Sequence, residues 1–138
     1  MKPAGAGYSA TPLPRKLGLK SGMRWIALNA PPGLESLLAG APELRRLTRL
    51  ANFDCALAFV TSALMVGRTF EKLAPRLADA GMIWVAWPKK ASGVPSNLTE
   101  DVVRRAGLAA GLVDVKVCAI DAIWSGLKFV RRLRDRQG

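Results

Sequence analysis

Apolar residues in this chain fall into short continuous runs and into helical periods, and the two patterns alternate. The first run, Trp25 to Leu28, predicts a strand that ends at Asn29-Ala30-Pro31-Pro32-Gly33. Leu34 to Ala39 predicts a short helix stopped by Gly40 and Pro42, and Leu44 to Leu50 fits a poor strand and an arginine-bearing helix equally well. Cys55 to Val60 is continuously apolar, the mark of a strand buried on both faces. Thr61 and Ser62 follow it and can cap a helix. That helix carries Val66, Phe70, Leu73 and Leu77 on one face, with Pro75 expected to kink or restart it and Gly81 to end it. Met82 to Trp87 is a second doubly buried strand, in which Trp84 and Trp87 face opposite sides. After a loop from Pro88 to Asn97, the run Asn97-Leu98-Thr99-Glu100 has capping-box spacing and opens a helix that reaches about Ala110 and stops at Gly111. Val113 to Ile120 and Gly126 to Arg132 are the remaining strands. The short link Asp121 to Ser125 predicts that they pair antiparallel.

Strands that alternate with helices and then close in a hairpin predict an α/β, Rossmann-like domain. Its sheet should be mostly parallel with a C-terminal antiparallel hairpin. Glycines and prolines mark residues 1–14 as an irregular arm, and Arg15 to Met23 reads as a short helical turn closed by glycines. Residues 15–133 form a single domain in this reading, and residues 134–138 a basic tail.

Composition narrows the chemistry. There is no histidine, which removes the commonest general base, the usual nucleophile partner and the commonest metal ligand. Cys55 and Cys118 lie apart in apolar runs and read as free buried thiols in a reduced cytoplasm. No metal constellation follows from the spacing of cysteines and carboxylates, and Asp114 and Asp121 show no paired acid. No apolar run is long enough to span a bilayer, and no secretory signal is visible at Met1 to Gly5. The net charge of +11 points toward polyanions, although the arginines and lysines are dispersed.

The order strand, helix, strand, helix, strand and antiparallel strand from Phe53 to Arg132 resembles the C-terminal half of a class I, S-adenosylmethionine-dependent methyltransferase. The lead-in Leu17 to Trp25 is similar to the segment that precedes the first strand of such enzymes. Where they carry a GxGxG loop, this chain has Asn29-Ala30-Pro31-Pro32-Gly33, with two prolines that lack N–H donors, and no clear acid follows at the end of a second strand. The chain also resembles a small bacterial family that carries only a domain-of-unknown-function label. That likeness rests on Thr11-Pro12-Leu13, Lys16 to Leu19, Trp87 to Gly93, Leu98 to Arg104, Gly111 to Ala119 and Trp124 to Val130. It implies a Rossmann-like fold and a cytoplasmic protein, and it carries over no site residues.

Ligands of open parallel sheets sit outside the carboxyl ends of the strands. Three segments should gather there, and they supply the candidate ligand-binding residues Asn29, Gly33, Thr61, Ser62, Lys89, Lys90, Ser92, Gly93 and Thr99, with Trp124 at the hairpin turn. Lys89, Lys90, Ser92 and Gly93 lead into a helix start that favours anions. No catalytic residue or metal ligand is assigned. The reading is a non-enzymatic domain without a cofactor that binds an anionic small ligand or a macromolecular partner, such as a protein, at the carboxyl edge of its sheet. The alternative is a reduced methyltransferase that uses S-adenosylmethionine, and nucleic-acid binding stands third.

Overall fold

The computed structural model describes residues 11–136, so the predicted arm 1–14 and basic tail 134–138 lie partly outside the described residues. Six strands of the described residues form one sheet in the order β2-β1-β3-β4-β6-β5. They span Arg24–Leu28 (β1), Arg45–Arg46 (β2), Phe53–Phe59 (β3), Leu77–Pro88 (β4), Leu112–Ala119 (β5) and Trp124–Arg131 (β6). β1 pairs in parallel with β2 and β3, and β3 with β4; β6 is antiparallel to both β4 and β5. The fold is α/β and Rossmann-like, with the antiparallel pair at the C-terminal edge.

Among the described residues four α-helices cover the sheet: Leu13–Leu17 (α1), Leu34–Leu37 (α2), Ala63–Leu73 (α3) and Glu100–Ala109 (α4). Val66, Phe70 and Leu73 of α3 and Val103 of α4 pack on one face with Ile26, Ala56, Ile83 and Phe129. Leu13 and Leu17 of α1, with Leu34 of α2 and the following Leu38, pack on the other face with Trp25, Cys55, Leu57 and Trp84. β3 and the second half of β4 therefore lie buried on both faces, which accounts for their unbroken apolar sequence. Trp84 and Trp87 enter opposite cores, as strand alternation requires.

Four local expectations are corrected. Helix α3 ends at Leu73 rather than at Gly81: Pro75 lies in a single 3-10 turn, Ala74–Arg76, and Leu77 already opens β4. Gly81 sits inside that strand, where a Cβ would stand 2.7 Å from the Asp54 carbonyl oxygen. Thr99, not Asn97, caps α4 by accepting from Val102 N at 3.2 Å. Asn97 Oδ1 instead accepts from Ala63 N at 3.1 Å, at the start of α3. Trp124 is the first residue of β6 and not part of the turn.

Both cysteines are free, with Cys55 buried and Cys118 half-buried. Burial pushes both thiols up, so neither is a ready nucleophile. At the amino end of the sheet, Asp54 accepts from the Arg24 backbone N–H (2.8 Å), Nε (3.0 Å) and Nη2 (3.1 Å). The Arg24 side-chain hydrogen bonds, ahead of an opposing desolvation effect, hold the Asp54 carboxyl below its ordinary range. An acid with a depressed folded pKa stabilises the fold above its unfolded pKa of about 3.9, and that contribution is lost as pH falls through the folded value. Asp54→Asn is therefore expected to cost on the order of 1 kcal/mol at pH 7, after allowance for solvent screening. Urea midpoints should show the gap between parent and variant closing below about pH 4, and a gap that persists there would contradict the assignment.

Candidate functional site

The order in which strands are added reverses at β1. β2 lies on one side of it and β3 on the other. The helix after β1 goes to one face and the helix after β3 to the opposite face. In open α/β sheets such a reversal leaves a crevice outside the carboxyl ends of the two central strands.

Two clefts flank that point. One, of about 420 Å³, is lined by Trp25, Ala27, Ala30, Pro31, Gly33, Leu34, Glu35, Ser36, Arg46 and Leu47. The other, of about 290 Å³, is lined by Asn29, Ser62, Leu64, Met65, Arg68, Thr69 and Lys72. Asn29, between them, has a left-handed backbone (φ 56°), a conformation that asparagine tolerates better than most residues. Its Nδ2 donates to Phe59 O over a long 3.5 Å. Gly33, also left-handed at φ 94°, ends the loop and begins α2, and no atom lies within 4 Å of the place a Cβ would take. The Glu35 carboxylate pairs with Arg46 Nη1 at 3.3 Å. Ser62 caps α3 by accepting from Met65 N at 3.2 Å, and the exposed Thr61 hydroxyl contacts the Met65 sulfur.

The remaining expected residues lie elsewhere on the carboxyl side. Lys89 Nζ donates to Asp121 O at 3.0 Å, and its backbone N–H to Ile123 O at 2.8 Å. Ser92 Oγ donates to Lys89 O at 2.6 Å and accepts from Val94 N at 3.2 Å. These bonds fasten the loop after β4 to the β5–β6 turn. Lys90 is exposed, and Gly93 closes the 3-10 turn Lys90–Ser92 in a left-handed conformation. Trp124 is half-buried and meets the Phe59 ring edge-on at 5.0 Å. Thr99 is spent on its cap.

Asn29 and Ser62 thus share one cleft, Gly33 lines the other, and Thr61 adjoins Ser62. Lys89, Lys90, Ser92, Gly93, Thr99 and Trp124 line neither. The sequence reading missed Glu35, Arg46, Arg68 and Lys72. The four-residue spacing of Arg68 and Lys72 on the helix after β3 was the one local signal for them. A further groove of about 420 Å³ runs between α3 and α4, lined by Gly67, Phe70, Glu71, Ala74, Pro75 and small residues of α4. α3 runs back from the carboxyl edge, so this groove lies toward the amino ends of the strands, away from the crevice.

No family profile and no curated protein matches the chain. Solved structures do. The ribosomal protein L11 methylase of Lactobacillus delbrueckii subsp. bulgaricus superposes with a TM-score of 0.58 at 12% identity, over 87% of this chain and 75% of that one. A SAM-dependent methyltransferase from Aquifex aeolicus gives 0.60 at 13% identity, over 83% and 85%. The magnesium protoporphyrin IX methyltransferase of Synechocystis PCC 6803, solved with bound SAM, gives 0.57 at 10% identity, over 87% and 74%.

These likenesses correct two expectations. The solved neighbours are methyltransferases, a finding that tells against the non-enzymatic reading and favours its methyltransferase alternative. The expectation of no cofactor is corrected on the same ground: neighbours are solved with bound SAM or SAH, which points to SAM rather than to none. The domain-of-unknown-function resemblance finds no matching profile. Among the described residues no helix is long and apolar enough to cross a membrane. The chain has the fold of the class I, S-adenosylmethionine-dependent methyltransferases.

Proposed function

We propose that this domain binds S-adenosylmethionine in the cleft beside the end of β1, walled by the loop that follows it, by α2 and by β2, and that this cleft serves methyl transfer. The observation that carries this reading is the reversal of strand order at β1, with a cleft opening at that point of a methyltransferase fold. Fold alone does not assign chemistry, so the residues of the cleft must suit the cofactor.

They suit it in three ways. The cleft of about 420 Å³ falls within the range of small-molecule sites, roughly 300–1,000 Å³. Gly33 leaves open space beside a left-handed backbone, so a ligand can approach the main chain closely. Glu35 places a carboxylate on the same wall, where it can accept from hydroxyl or ammonium groups. Pro31 and Pro32 supply no N–H, and β2 runs out through Leu47, Thr48 and Arg49 without an acid. Glu35, steadied by Arg46, is the acid that borders this cleft in its place.

When bound, the cofactor supplies an electrophilic methyl group. Gly33 and Ala30 would border it, Glu35 would hold its polar groups, and Trp25 and Leu34 would exclude water from the inner wall. A ligand at one hundred times its dissociation constant adds about 2.7 kcal/mol of stability. Saturating S-adenosylmethionine should therefore raise Tm by several degrees. Glu35→Gln is expected to weaken that binding roughly tenfold, the loss of a charge-assisted contact. The unliganded Tm should hardly move, because the Glu35 side chain is 79% exposed and its ion pair lies at the surface. A flat titration of the parent protein would overturn the cofactor assignment, and an unchanged affinity in the variant would overturn the role of Glu35.

A further inference from the structure

We propose that an anion-selective subsite adjoins the cofactor crevice on the α3 side, formed by Arg68, Lys72 and Asn29, and that it takes an oxyanion on an apolar body. The ligand class is a carboxylic acid or a phosphate monoester. The proposal rests on reading the crevice as the cofactor site, and it names the second ligand of that crevice.

Arg68 and Lys72 lie one helical turn apart on α3 and line the same cleft of about 290 Å³. Like charges at this spacing destabilise a helix, so stability gives no reason for the pair. Neither enters an ion pair among the described residues, so both charges are available to a ligand. Glu71, the acid nearest in sequence, lines the α3–α4 groove on the other side of the helix and no part of this cleft. No carboxylate is present in the cleft lining at all.

S-adenosylmethionine does not explain these cations. It carries a sulfonium and an ammonium against a single carboxylate, so a basic wall is complementary to a different molecule. Asn29 adds amide hydrogen-bonding capacity, since only its long Nδ2 contact with Phe59 O is made. Beside the cations, Leu64 is 67% exposed and Met65 half-buried, and both line the cleft. An exposed leucine next to a guanidinium and an ammonium fits a ligand with an apolar body and a charged end. The chain has no histidine, and the one carboxylate of either cleft is already paired with Arg46. A ligand that arrives ionised needs no base to remove its proton.

The test is calorimetric titration of phenyl phosphate and of benzoate into the full chain, with and without saturating S-adenosylhomocysteine. At least one should bind saturably in the millimolar range or tighter, and the tighter of the two identifies the headgroup. The double variant R68Q/K72Q should weaken it at least roughly tenfold, while R68K/K72R retains it. S-adenosylmethionine affinity, measured separately, should stay within about twofold in R68Q/K72Q, because the two sites share no side chain. If neither probe binds, or if R68Q/K72Q binds as the parent does, the subsite is overturned. Loss of S-adenosylmethionine binding in R68Q/K72Q would also overturn it, by giving these cations to the cofactor. Inorganic phosphate binding as tightly as phenyl phosphate would remove the apolar body from the proposal. A parent protein that binds a probe but no S-adenosylmethionine would leave the anion site standing and overturn the cofactor reading alone.

Discussion

Replacing Trp84 by alanine is expected to lower the free energy of unfolding by about 3–5 kcal/mol and Tm by roughly ten degrees or more. Trp84 is fully buried in β4, between Leu57 of β3 and Lys128 of β6. Its ring fills the core under α1 and passes so close to Gly126 that a Cβ there would stand 3.2 Å from it. Its Nε1 donates to Leu17 O at 3.1 Å, which ties the end of α1 to the central sheet. Alanine leaves a cavity and strands a buried carbonyl, and the second effect alone is worth about 1–3 kcal/mol. Trp84→Phe keeps most of the volume and loses the hydrogen bond, so it should fall between parent and alanine variant. Urea unfolding followed by circular dichroism measures both, and an alanine variant within about 1 kcal/mol of the parent would contradict this packing.

The second large effect is expected from a change that looks favourable in sequence. Gly107 lies inside α4, where alanine has the better helix propensity by about 1 kcal/mol. Here a Cβ would run into the edge of the Phe129 ring. Phe129 is fully buried and meets Phe70 edge-on at 4.9 Å, so its ring has nowhere to turn without breaking that pair. Overpacking typically costs about 1–3 kcal/mol and can exceed that where no side chain can give way. Gly107→Ala should therefore destabilise by about 2 kcal/mol net, a fall in Tm of about 6–10 °C. Phe129→Leu in the same chain should recover part of the loss, and the coupling in a double-mutant cycle reports the clash directly. A Gly107→Ala protein more stable than the parent would show that α4 sits farther from the sheet.

Much of the fold was legible because burial on both faces writes itself as an unbroken apolar run. Cys55 to Val60 and Met82 to Trp87 fall on the two innermost strands for that reason. The parts that misled are those where local pattern and tertiary structure compete. Leu77 continues the helical period of Val66, Phe70 and Leu73, yet Pro75 breaks the helix and Leu77 pairs with Phe53 across the sheet. Gly81 resembles a helix stop, but it serves the close approach of the Asp54 carbonyl. Asn97 has capping-box spacing to Glu100 and spends its side chain on the other helix.

The lining of the two candidate clefts was legible only in part. Asn29, Gly33, Thr61 and Ser62 follow from the rule that ligands gather at the carboxyl ends of parallel strands, which needs only the strand positions. Lys89 and Ser92 have the composition of an anion loop, but their polar atoms bond to Asp121 O and within the loop itself. Glu35 and Arg46 are eleven residues apart, and Arg68 lies beyond another strand. Their convergence on two adjoining clefts is set by sheet order, which no window of sequence contains.

The most direct measurement of the central claim is a titration of S-adenosylmethionine into isotopically labelled protein, followed residue by residue through backbone amide chemical shifts. The expected result is a saturable shift confined to Ala30, Gly33, Leu34, Glu35 and Arg46, residues of the cleft beside the ends of β1 and β2. No saturable shift would contradict cofactor binding, and shifts centred on Gly67, Ala74 and Ala109 would move the site to the α3–α4 groove.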